Sequence, residues 1–142
     1  MNDFDYLDEC VGTWEMTPAN KLTRQQQAVL DVSGTITFIS GDGLLHVWSQ
    51  SGDSMDRIIE SFRMAGISEI ADLLQESSFC KSILERTPPD AEDWQCTKEE
   101  EVRLRDIELF VSDKEPDARE GLLQFLPDRK SNDTNRTKRR RN

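Results

Sequence analysis

The chain has 142 residues with 28 acidic and 18 basic side chains, one His and three Cys; 35% of it is hydrophobic and 32% charged. Leu, Ile, Val and Phe number 33, enough for one modest core, since highly charged chains stay disordered when these residues fall below ~20%. The net charge of −10 is divided unevenly: residues 1–127 hold 26 acids against 11 bases, and residues 128–142 two acids against seven bases, so an acidic body that repels nucleic acid and anionic membrane precedes a basic tail.

Met1-Asn2-Asp3-Phe4-Asp5 is acidic where a secretion signal needs positive charge followed by an apolar stretch, and no apolar run approaches the ~18 residues of a membrane span. A cytoplasmic protein is expected. Residues 1–19 read as an N-terminal extension packed on a helical domain of residues 20–127. Thr23-Arg24-Gln25-Gln26 fits a capping box, which marks a helix start. Val29, Val32, Ile36 and Ile39 follow at spacings of three, four and three, one helical stripe, although Thr35-Ile36-Thr37-Phe38-Ile39 taken alone also alternates as a strand does. Gly41-Asp42-Gly43 breaks the chain. Leu44, Leu45, Val47 and Trp48 then form a short apolar segment that ends at Ser51-Gly52.

Asp53 or Ser54 can cap the next helix, whose Met55, Ile58, Ile59 and Phe62 share a face, with Gly66 as its C-terminal stop. Ser68 starts another, carrying Ile70, Leu73 and Leu74, its far end marked by Phe79 and Cys80. Thr87-Pro88-Pro89-Asp90 is a loop, because two prolines remove two amide donors and push the preceding residue out of the helical region. Thr97-Lys98-Glu99-Glu100 is a second capping box, and its helix would bury Leu104, Ile107, Phe110 and Val111. Pro116 suits the first position of a last helix holding Leu122, Leu123 and Leu126. The expected fold is all-α: a bundle of about five or six short helices. From Asp128 onward no apolar residue occurs, so residues 128–142 are expected to be a disordered basic tail, with Lys138, Arg139, Arg140 and Arg141 as its contact residues.

Motifs that carry chemistry are few. Cys10, Cys80 and Cys96 are odd in number and contain no Cys-x-x-Cys pair, so neither a disulfide framework nor a zinc knuckle is expected. His46 with Ser49 or Cys10 lacks the oriented base and oxyanion site that nucleophilic catalysis needs. Gly41-Asp42-Gly43 has neither the spacing nor the lysine of a phosphate loop, and the acids do not match a calcium loop. No enzyme activity, metal or cofactor is expected, and Trp14, Trp48 and Trp94 read as packing residues. One stretch rises above this background. Residues 90–120 carry twelve acids against five bases, with Arg103, Arg105 and Arg119 interspersed. Carboxylates on a rigid helix present spaced negative charge to a basic or DNA-binding protein, and Glu99, Glu100, Glu101, Asp106, Glu108 and Asp113 are the partner-binding candidates. The alternative is a helical regulatory, immunity or scaffold protein that binds through an apolar groove.

The order of features over residues 29–126 resembles a bacterial all-helical family defined by the C-terminal domain of DNA mimic proteins. Many members have an Asn-Gly-Gly and aromatic break, an aromatic-rich short helix and a Ser-Gly turn; here stand Ser40-Gly41-Asp42-Gly43-Leu44, Val47-Trp48 and Ser51-Gly52. Ile58-Ile59, Phe62, Ala65-Gly66-Ile67, Ile70-Ala71 and Leu73-Leu74 continue that order, and Ile107-Glu108-Leu109-Phe110 resembles a later acidic, aliphatic and aromatic segment. The resemblance implies an all-helical fold, is compatible with a homodimer, and adds some weight to mimicry.

Overall fold

Thr23 starts the central helix in the way its sequence predicts. Its hydroxyl accepts from the Gln26 N–H at 3.0 Å while Gln26 Oε1 accepts from the Thr23 N–H at 2.9 Å, so two amides that a helix start leaves free are satisfied. The computed structural model describes residues 2–129, and within them α2 runs over Arg24–Asp42. Val29, Val32, Ile36 and Ile39 are all buried. The strand-like stretch inside it is helical because burial follows an in, in, out, out, in order: Thr35 and Ile36 are buried, Thr37 and Phe38 exposed, Ile39 buried again. A strand would turn neighbours to opposite sides.

Helix α1, Asp3–Glu15, is opened by a further capping box between Asn2 and Asp5 and buries Leu7, Cys10 and Trp14 at helical spacing. It packs on α2, so the N-terminal segment is a working part of the core. Gly43, at φ 95°, ends α2 and admits α3, Leu44–Ser51, whose Leu44, Leu45, Val47 and Trp48 are buried. A 3-10 turn at Gly52–Ser54 leads into α4, Met55–Met64. Ser54 occupies the cap position there, yet no side chain makes the capping bond.

Gly66 stops α4 with a full left-handed cap. At φ 79°, its N–H reaches the Arg63 carbonyl at 3.0 Å and the Ile67 N–H reaches the Phe62 carbonyl at 2.9 Å, which satisfies two carbonyls the helix end would otherwise expose. Helix α5, Ser68–Glu76, buries Ile70, Ala71 and Leu74. A 3-10 turn, Ser77–Phe79, then leads into a separate short helix, α6, Cys80–Arg86, where the sequence reading placed only a helix end. The Trp48 indole donates to Ser77 Oγ at 2.8 Å, and that hydroxyl donates to the Leu74 carbonyl at 2.6 Å. This buried chain of hydrogen bonds ties α3 to the corner.

The last helix corrects the reading of Pro116. Helix α7 is continuous over Lys98–Leu122 with Pro116 inside it, rather than two helices meeting there. Proline removes one donor and costs an isolated helix about 3 kcal/mol; Ser112, whose carbonyl loses that donor, and Pro116 itself are both exposed, so water can take the freed oxygen. Val111 on one side and Ala118 and Leu122 on the other are buried, and their packing carries the helix across. Leu123 therefore lies in a closing 3-10 turn, Leu123–Phe125, and Leu126 beyond it. Phe110 is half-buried beside the buried Leu104 and Ile107. Helix α2 packs against α1, α3, α4 and α7, and no strand occurs among the described residues. The contact residues assigned to the tail, Lys138, Arg139, Arg140 and Arg141, lie outside the described residues.

Candidate interaction surface

Helix α7 turns one side to the core and presents the other to solvent over about seven turns. On that outward side Glu99, Asp106, Asp113 and Glu120 are exposed. They recur every seven residues, which places them in one row with carboxylates about 10.5 Å apart along the axis. Beside the row stand Val102, 53% exposed, and Leu109, 57% exposed, also seven apart. None of the four acids has an ion pair among the described residues, and Asp117 extends the acidic face toward the C-terminal end.

The arginines expected to interrupt this surface do so only in part. Arg103 lies over the Phe79 ring, 4.1 Å from its centroid. Arg119 pairs with Asp8 of α1 at 2.8 Å and covers Phe4. Both are thus drawn to the sides by partners on other elements; Arg105 remains exposed, on the face of Val102 and Leu109 rather than of the row, by its spacing of three and four from them.

The structure divides the six candidate residues. Glu99, Asp106 and Asp113 share the row. Glu101 is exposed on the same helix but lies about 160° around the axis from Glu99 by the 3.6-residue turn. Glu100 has another occupation: its Oε1 accepts from the Thr97 N–H at 2.9 Å and meets the Arg86 guanidinium. The bond from the Thr97 backbone, with Arg86 beside it, holds its carboxyl below the ordinary range. Glu108 is half-buried, and its Oε2 accepts from the Leu44 N–H at 2.7 Å. It caps α3 from 64 residues away, where Gly43 has no side chain to do so. These two carboxylates are engaged within the fold, which Glu99, Asp106 and Asp113 are not.

A second polar site escaped the sequence reading. Asp31 is 7% exposed and accepts from Arg57 through both oxygens at 2.9 and 3.0 Å, from Ser61 Oγ at 2.7 Å and from Gln27 at 3.0 Å. The hydrogen bonds to Asp31 raise the affinity of Arg57 for its proton. The signal available was an Asp on the apolar stripe of α2 one position before Val32. This cluster forms part of a groove of about 190 Å³ between α2, α3 and α4, whose lining joins Asp31 and Arg57 to Gly34, Phe38, Val47 and Ile58, with Phe38 41% exposed.

Compared with family models, with curated proteins and with solved structures, the chain matches none. Among the described residues no helix is long and apolar enough to cross a membrane, and no three His, Cys, Asp or Glu side chains are grouped as metal ligands would be. Cys10, Cys80 and Cys96 are free thiols. Burial, then the neighbouring Cys96, pushes the Cys80 thiol up to about 12. His46 stands edge-on to Trp94, 6.0 Å between ring centroids.

Proposed function

We infer that this chain is a non-catalytic interaction module that docks the outward face of α7 against a basic protein surface. The observation that carries the reading is the row Glu99, Asp106, Asp113 and Glu120, without ion pairs among the described residues and flanked by exposed Val102 and Leu109. Exposed apolar side chains supply area and the surrounding carboxylates supply sign, so a cationic helix or groove fits and an anionic one is repelled. As a mimic of DNA the row matches in sign more than in spacing, because one duplex strand places a charge every 3.4 Å and this helix face one about every 10.5 Å.

The test is the triple variant Glu99→Lys, Asp106→Lys, Asp113→Lys, with Glu100 and Glu108 left intact. Basic proteins retained by the full chain at low salt should be lost by the variant, with folding stability changed by less than about 0.5 kcal/mol. Unchanged retention would sink the proposal. The groove at Gly34 and Phe38 favours a second reading, docking of an apolar partner segment between α2, α3 and α4. Ionic strength separates the two: binding through α7 weakens as the Debye length shrinks from about 10 Å at 0.1 M toward 3 Å at 1 M, and apolar docking does not.

A further inference from the structure

The loop between α6 and α7 is tied at its base with more bonds than a passive connection needs. Thr87 Oγ1 donates to the Ile83 carbonyl at 2.6 Å and accepts from the Gln95 N–H at 3.0 Å; Arg86 Nε donates to the Gln95 carbonyl at 2.7 Å and its guanidinium pairs with Glu100. Both backbone polar groups of Gln95 are therefore fixed, and Trp94 precedes it directly. Pro88 and Pro89 stiffen the other limb. The loop holds Trp94 37% exposed, in a position that core packing alone does not require.

Between this loop and α3 lies a cleft of about 620 Å³, within the range of small-ligand sites. Its aromatic lining is His46, Trp48 and Trp94. His46 and Trp94 stand at 83° to one another, so two rings form adjacent walls of a corner. The two formally charged lining residues are both acids, Glu92 and Asp93, neither has an ion pair among the described residues, and residues 87–97 contain no base. The Trp48 ring is buried and already carries Lys81, whose Nζ stands 5.4 Å from its centroid, so the ring left open to a ligand is that of Trp94.

We propose that this cleft binds an alkylated ammonium cation. Aromatic faces attract cations through their quadrupole, and a methylated ammonium sheds water more readily than a bare one, which is why perpendicular rings with a nearby carboxylate select such groups. An anion is repelled by Glu92 and Asp93, and a neutral ligand gains nothing from them. The site lies on α3 and the 87–97 loop, so it stands or falls independently of the α7 face.

The probe is choline added to the full-length protein, read from the indole N–H signals in a nitrogen-proton correlation spectrum. Choline should shift the Trp94 signal saturably and leave buried Trp14 unmoved. The neutral isostere 3,3-dimethylbutan-1-ol should bind about tenfold more weakly or not at all, the ratio expected from ~1.4 kcal/mol of cation attraction. Trp94→Ala should abolish the shifts, Trp94→Phe should restore part of the affinity, and Glu92→Gln with Asp93→Asn should weaken choline without affecting the isostere. A peptide bearing one trimethyllysine identifies the source of the cation: tighter binding than choline assigns it to a protein side chain, equal binding to a small molecule. Equal affinity for choline and its isostere, or no saturable shift with either choline or the peptide, overturns the proposal.

Discussion

Asp31 shows how a charge is kept inside a helical core. The carboxylate meets a planar fork from Arg57, a hydroxyl from Ser61 and an amide from Gln27, and Ser61 accepts in turn from Arg24 at 3.0 Å. Every lone pair it buries is engaged, which offsets the loss of water. The Arg57 side chain is 46% exposed, so solvent screens part of the attraction. We expect Asp31→Asn to lower unfolding free energy by about 2 kcal/mol, the scale of hydrogen bonds to a charged group, measured by urea denaturation. Arg57→Lys should recover little, because an ammonium cannot reproduce the two-pronged contact. A loss below about 0.5 kcal/mol in Asp31→Asn would show the network to be incidental.

Among the elements, α7 holds the most instructive compromise. Gly121 is a poor helix former, and replacing it with Ala would favour an isolated helix by about 1 kcal/mol. A Cβ at this position would stand 3.0 Å from the Ala65 carbonyl oxygen, which also accepts from the Gln124 side chain at 3.2 Å and belongs to the tight turn ending α4. Gly121→Ala is therefore expected to destabilise the protein, against its propensity, by about 1 kcal/mol, visible as a lowered thermal midpoint. An increase would mean that the turn yields. Both capping boxes of α2 and α7 were legible in the sequence because they are local: four residues contain all the donors and acceptors involved. The passage of α7 through Pro116 was not legible, since packing by Val111, Ala118 and Leu122 against other helices outweighs what proline does to its own neighbourhood. Glu100 and Glu108 were ambiguous for the same reason. Each is an acid in an acidic stretch, and only the approach of Arg86 or of the α3 amide gives it a structural task.

For the molecule as a whole, charge distribution governs encounter with a partner. Residues 130–142 hold six bases and one acid, so their removal takes the net charge from −10 to −15. Arg129, just before them, is already engaged with the acidic end of α1, donating to Asp3 at 3.0 Å and to the Asn2 carbonyl at 3.2 Å and covering the Tyr6 ring. Truncation after Arg129 keeps these contacts and strengthens the negative field of the domain. It is expected to raise the association rate with a basic partner several-fold at low salt, with the gain shrinking as the Debye length shortens. Kinetics measured at two ionic strengths check this. A slower association after truncation would make residues 130–142 a contact arm.

What the sequence determined by itself is the class of fold, the two capped helix starts, the Gly66 stop, the proline loop and the acidic character of residues 90–120. All of these follow from short-range hydrogen bonding, backbone sterics and residue periodicity, which neighbours in the chain decide among themselves. Tertiary structure alone decided which acids are available. It joined Glu108 to Leu44, Arg86 to Glu100 and Arg119 to Asp8, leaving Glu99, Asp106, Asp113 and Glu120 in one exposed row. It also set Trp94 beside His46, 48 positions away along the chain. Such pairings depend on how helices stack, and the stacking is settled by the summed burial of the whole core, a quantity no local pattern contains.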